Sequence, residues 1–120
     1  MQLRVILKDQ NKYLKDVQVG DELLCESGLY LPVKNKLLVV TKGIYCRLSN
    51  GFSFHIYERM KIKTVSGFKL PELWDIISVT REFEPSVTTC QISQKDIIFY
   101  DLLIDGNLVS PEGIVFKYGD

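Results

Sequence analysis

A single histidine, His55, and three cysteines, Cys25, Cys46 and Cys90, are the residues of this chain best suited to nucleophilic, acid–base or metal chemistry. A tetrahedral metal site takes three or four such ligands, usually with two of them closely spaced. Here the cysteines are far apart, form no Cys-x-x-Cys pair and are odd in number. That spacing argues against a zinc site and a disulfide framework and for a reducing compartment. Cys25 and Cys46 sit inside apolar segments and are expected in the core as small hydrophobes. Cys90 has no histidine beside it in sequence to lower its pKa, so Thr88-Thr89-Cys90 reads as ordinary strand, with a reactive thiol as the alternative. His55 alternates with Phe52, Phe54 and Ile56, and in a strand it points to the opposite face, toward solvent.

Two charged groups also invite a chemical reading. Arg59, Lys61, Lys63 and Lys69 lie near Phe52, Phe54 and Tyr57, a pattern that a single-stranded nucleic acid platform would use. Alternation of Arg59, Lys61 and Lys63 with Met60 and Ile62 is equally what a half-buried strand gives. Glu82, Glu84 and Asp96 gather acid, but Arg81 and Lys95 mix the signs. Acid–base work by paired carboxylates needs a cleft to hold them.

The elements that must carry these residues are strands. The chain has 120 residues, 46% hydrophobic and 25% charged, one domain's worth spanning 1–120. Fifteen basic and fifteen acidic residues balance to zero net charge, against a nucleic acid coat or a polybasic membrane binder. No apolar run reaches the roughly 18 residues of a membrane span, and Met1 to Lys8 is too short and too soon charged for a signal peptide. Period-two alternation with β-branched and aromatic residues marks strands at Leu3–Leu7, Glu22–Cys25, Leu37–Thr41, Ile44–Leu48 and Gly51–Ile56. Further ones fall at Arg59–Lys63, Asp75–Val79, Val87–Ser93, Ile97–Ile104 and Ile114–Phe116. Turn signals separate them. Asn50-Gly51 predicts a type I′ hairpin, and Lys42-Gly43 a weaker one. Helical spacing is nearly absent, with short turns at Tyr13–Val17 and Leu70–Trp74 as the candidates. The fold class is all-β, of many short antiparallel strands. Val19-Gly20-Asp21-Glu22-Leu23 is echoed faintly by Leu73-Trp74-Asp75-Ile76-Ile77.

In order and spacing these segments resemble the Hint domain, shared by hedgehog autoprocessing domains and inteins. Tyr13-Leu14-Lys15-Asp16-Val17-Gln18-Val19-Gly20-Asp21-Glu22-Leu23-Leu24 is similar to the family's opening I-x-D-L-x-V-G-D-x-V turn. Gly67 to Ile77 matches its second G-w-x-x-a-x-x-L-x-x-G-D-x-I stretch, with Trp74 where the second Gly belongs. Tyr100-Asp101-Leu102-Leu103-Ile104-Asp105 and Gly113-Ile114-Val115-Phe116-Lys117-Tyr118 match the closing motif. The resemblance covers nearly the whole chain and implies a compact β fold with a pseudo-two-fold repeat, which accounts for the echo.

It also implies a chemistry. In such domains a Cys or Ser at the first position attacks its own preceding carbonyl, a Thr and a His of a middle motif assist, and in inteins a terminal His-Asn pair completes cleavage. Position by position, this sequence departs from that set. Met1 stands first. The Thr position falls on Tyr57 and the His position on Met60, which cannot donate a proton. Lys117-Tyr118 replaces His-Asn, and Gly119 follows. Shifting the frame to use His55 puts Phe52 in place of Thr, and Phe52 has no hydroxyl.

The expectation is therefore a non-catalytic Hint-like domain, with no catalytic residue, cofactor, metal or small-molecule substrate. It would serve as a structural or protein-interaction module through a protein partner or self-assembly, without nucleic acid or membrane. A phage virion or other mobile-element protein is the setting the resemblance suggests, and the location cytoplasmic or virion. The alternatives are a self-cleaving Hint domain and a small nucleic acid-binding β domain. Asp96 to Ile104 reads as either the central strand or part of an interface.

Overall fold

The computed structural model describes residues 2–72, 75–77 and 86–119, with backbone alone at 86–89. Two long strands form its frame. β5 (Asn35–Leu48) and β10 (Ser86–Leu103) pair antiparallel from Asn35↔Leu103 to Leu48↔Thr88, with one register shift between Ile92 and Asp96. Around them run β1 (Arg4–Ile6), β2 (Asn11–Tyr13), β3 (Glu22–Leu24), β4 (Tyr30–Pro32), β6 (Ser53–Ile56) and β7 (Met60–Thr64). β8 (Gly67–Lys69), β9 (Ile76–Ile77), β11 (Leu108–Val109) and β12 (Val115–Tyr118) complete the set. The main sheet has the order β11-β12-β7-β9-β10-β5-β6, with β8 added on β7, and β1–β2 and β3–β4 form two small ribbons. The described residues contain no α-helix; Leu14–Asp16 is a single 3-10 turn, inside the predicted Tyr13–Val17 segment.

Alternation produced most of these strands. In β7, Met60, Ile62 and Thr64 are buried while Lys61 and Lys63 are half-exposed, as a half-buried strand requires. The core closes around Phe54, Ile56, Met60, Ile62, Phe99 and Phe116, all fully buried, and includes Cys25 and Cys46.

Three expectations need correction. Leu37–Thr41 and Ile44–Leu48 are one strand, not a hairpin across Lys42-Gly43. Gly43 is buried, and a Cβ there would stand 2.9 Å from the Phe99 ring. This glycine makes room for a ring rather than a turn. Val87–Ser93 and Ile97–Ile104 likewise merge into β10. Asn50-Gly51 does turn a hairpin, but with a three-residue loop. Leu48 N–H donates to the Phe52 carbonyl, Gly51 N–H donates to the Leu48 carbonyl, and Gly51 takes a left-handed φ, +92°. Strands β2, β4, β8 and β11 were not predicted, being only two or three residues long. The Leu70–Trp74 candidate shows no helix at residues 70–72, and residues 73–74 lie outside the described ones, as do residues 81–85 with Glu82 and Glu84.

The faint echo is structural. Asp21 and Asp75 each stand just before a strand, β3 and β9. Asp21 Oδ2 accepts from the N–H of Gln18 at 2.9 Å, and Asp75 Oδ2 from that of Glu72 at 2.6 Å, each three residues back. Each aspartate's own N–H returns to the same residue's carbonyl, at 3.0 and 3.1 Å. Each also carries a lysine, Lys12 at 2.9 Å and Lys69 at 3.3 Å. The repeated Asp is thus a strand-entry turn, closed by a side-chain acceptor and an ion pair.

Candidate functional site

β6 and β7 are joined by a tight turn, Tyr57 to Met60, closed by the Met60 N–H donating to the Tyr57 carbonyl at 2.8 Å. This turn carries the two positions that the resemblance assigns to Thr and His. Met60 is fully buried and pairs in register with Tyr118 of β12. Tyr57 is buried with its ring 4.8 Å from that of Phe99. Its hydroxyl reaches across to β10 and donates to Asp101 Oδ2. Arg59, at the tip of the turn, donates from Nε to the same oxygen at 2.7 Å. Two donors from one turn therefore converge on one carboxylate oxygen, a charge-assisted arrangement.

Tyr118 completes the group. Its hydroxyl is buried and has no hydrogen-bond partner among the described residues. Burial first, then the proximity of Tyr57 and Asp101, pushes the Tyr118 phenol well above its ordinary pKa. Tyr57 is raised by burial and by the bond to Asp101. Neither phenol nor the guanidinium gives up a proton near neutrality. The cluster can hold and orient, and it offers donors, but it supplies no thiol or imidazole.

The first and last described residues both lie against this segment. Gln2 makes an isolated parallel bridge to His55, and the Gly119 N–H donates to the Arg59 carbonyl at 2.8 Å. A cleft of about 290 Å³ opens beside Arg59, Asp101, Leu103, Asn107, Lys117 and Tyr118. A second, of about 450 Å³, is lined by Gln2, Tyr13, Lys15, His55, Ile98 and Tyr100. His55 is half-buried rather than free in solvent, paired opposite Tyr45 with ring centroids 5.1 Å apart.

The arrangement is that of a β fold in which the first and last described residues meet β6 and the turn that follows it. No protein-family model and no curated protein sequence matches the chain. Solved structures do. The gp41-1 intein superposes with a TM-score of 0.78 at 16% identity, over 97% of this chain and 94% of that one. The chain has the Hint fold. A bacterial intein-like domain from Clostridium thermocellum matches at TM-score 0.72 and 12% identity, over 99% of both chains. A DnaB intein from Synechocystis matches at 0.70 and 16%, over 98% and 94%.

Of the positions the resemblance assigns, Met60 pairs in register with Tyr118, and Tyr57 lies near Tyr118. The meeting of Tyr57 and Arg59 on Asp101 was not foreseen. A signal existed: Asp101 is a lone carboxylate inside the apolar run Ile97 to Ile104, and such a group needs a partner on folding. The basic group reads differently in three dimensions. Arg59 pairs with Asp101, Lys63 with Glu26 and Lys69 with Asp75, while Lys61 donates to the Glu58 carbonyl. Phe54 and Tyr57 are buried. Three of the four basic side chains thus meet carboxylates and Lys61 a backbone carbonyl, while two of the three rings lie in the core and Phe52 is half-buried.

Proposed function

We propose that this chain is a Hint-fold domain that does not cut its own backbone and acts as a structural or protein-interaction module. The observation that carries this reading is the Tyr57–Asp101–Arg59 knot with Met60 beneath it. The positions assigned to acid–base chemistry hold a core thioether and a phenol tied to a carboxylate. The module reading is supported by apolar side chains left outside. Leu38, Val40 and Ile98 share one face of the β5–β10 ribbon, and are 60%, 57% and 48% exposed. Among the described residues, β6 covers the outer edge of β5 only from Ile44 to Arg47, so Lys36 to Gly43 presents an open edge. Open apolar edges are where β proteins acquire further strands. The setting we propose is a many-copy component of a virion or another mobile-element protein.

The deciding experiment expresses the chain between two flanking peptides and follows intact mass under reducing conditions, with the gp41-1 intein in the same flanks as the positive control. An unchanged mass with a cleaved control is the expected result. Release of either flank overturns the reading in favour of self-processing.

A further inference from the structure

Cys46 of β5 and Cys90 of β10 stand directly opposite in the ladder, with sulfurs 3.8 Å apart. Both are free thiols. Residues opposite one another in antiparallel strands have Cα atoms about 4.5–5.5 Å apart, and a disulfide spans about 4.4–6.8 Å. Side-chain rotation, with a small approach of the two Cβ atoms, brings the sulfurs to bonding distance. The two thiols differ in access. Cys46 is fully buried, while Cys90 is half-buried and open to a small reagent.

We propose that Cys46 and Cys90 form a reversible covalent modification site, oxidised to a cross-strand disulfide by a low-molecular-weight disulfide such as oxidised glutathione. Cys90 gives its proton to solvent and its sulfur attacks one sulfur of the reagent. The reagent's S–S bond breaks, one half leaves as thiolate, and a mixed disulfide remains on Cys90. Cys46 then attacks the Cys90 sulfur, its proton passes to the departing thiolate through solvent, and the second half is released. Two protein thiols lose two electrons and two protons, and one small disulfide becomes two thiols. Burial and the neighbouring Cys90 hold the Cys46 thiol protonated, so loss of that proton sets the pace of the second step. The bond ties β5 to the stretch of β10 that precedes the Ile92/Asp96 register shift.

The test incubates the folded, reduced full chain with oxidised glutathione and reads intact mass and a non-reducing peptide map. The expected product has lost two hydrogens, links the Cys46 and Cys90 peptides, leaves Cys25 free and reverts with a reductant. Cys90→Ser abolishes it. Cys46→Ala traps glutathione on Cys90; should that core variant not fold, Cys46→Ser makes the same measurement. A persistent glutathione adduct on the wild-type chain, a link through Cys25, or no reaction overturns the proposal.

Discussion

Tyr57 and Tyr118 bring the same phenol to the same neighbourhood, yet only one hydroxyl has a partner among the described residues. Removing a bonded hydroxyl leaves Asp101 short of a donor, and Tyr57→Phe is expected to cost about 1–2 kcal/mol in urea unfolding. Tyr118→Phe removes a buried unpartnered group, and its expected effect is within about 0.5 kcal/mol of zero or stabilising. Both phenols have raised pKa values in the folded chain, so stability tied to them is complete below the ordinary tyrosine value, about 10, and is lost as pH rises toward the folded values. In an alkaline titration read by tyrosinate absorbance, two of the six tyrosines should ionise only as the chain unfolds. Ionisation of all six on a folded chain would refute this. At the same scale, Met60→His places an imidazole where nothing is exposed. It should destabilise by about 2 kcal/mol or more, as chemical unfolding would show.

Strand by strand, the sequence was legible where alternation ran over four or more residues and misleading where a glycine had two readings. Gly43 carried a turn signature, but what decides its role is Phe99, 56 positions away, whose ring occupies the space of the missing side chain. No local pattern contains that fact. Gly43→Ala should cost about 1–3 kcal/mol through overpacking, and the cost should shrink when Phe99→Leu makes room, as a double-mutant cycle of unfolding free energies would show. The Asp turns were readable as an echo, because Asp21 and Asp75 act on residues three positions back. The Gln18 N–H and Lys12 hold the Asp21 carboxyl below its usual range. Its contribution is present above the ordinary carboxylate pKa and fades as pH falls through the lowered folded value. Asp21→Asn should therefore flatten the acid side of the stability curve measured by denaturant titration.

Over the whole molecule, order and spacing of motifs disclosed the fold, while the partners of the site lay beyond local reach. Tyr57 and Asp101 are 44 residues apart and meet only after β6, β7 and β10 are assembled. The same long-range assembly leaves Leu38, Val40 and Ile98 on an outer face. If that face makes contacts, Leu38→Asp should lower the native mass of any assembly to that of the single chain while leaving the unfolding midpoint nearly unchanged. A larger assembly that survives the substitution would move the interface elsewhere. Gln2 and Gly119 rest on His55 and Arg59, anchors four residues apart along one short segment. Loosening that one segment would therefore free Gln2 and Gly119 together, although they stand at opposite ends of the sequence.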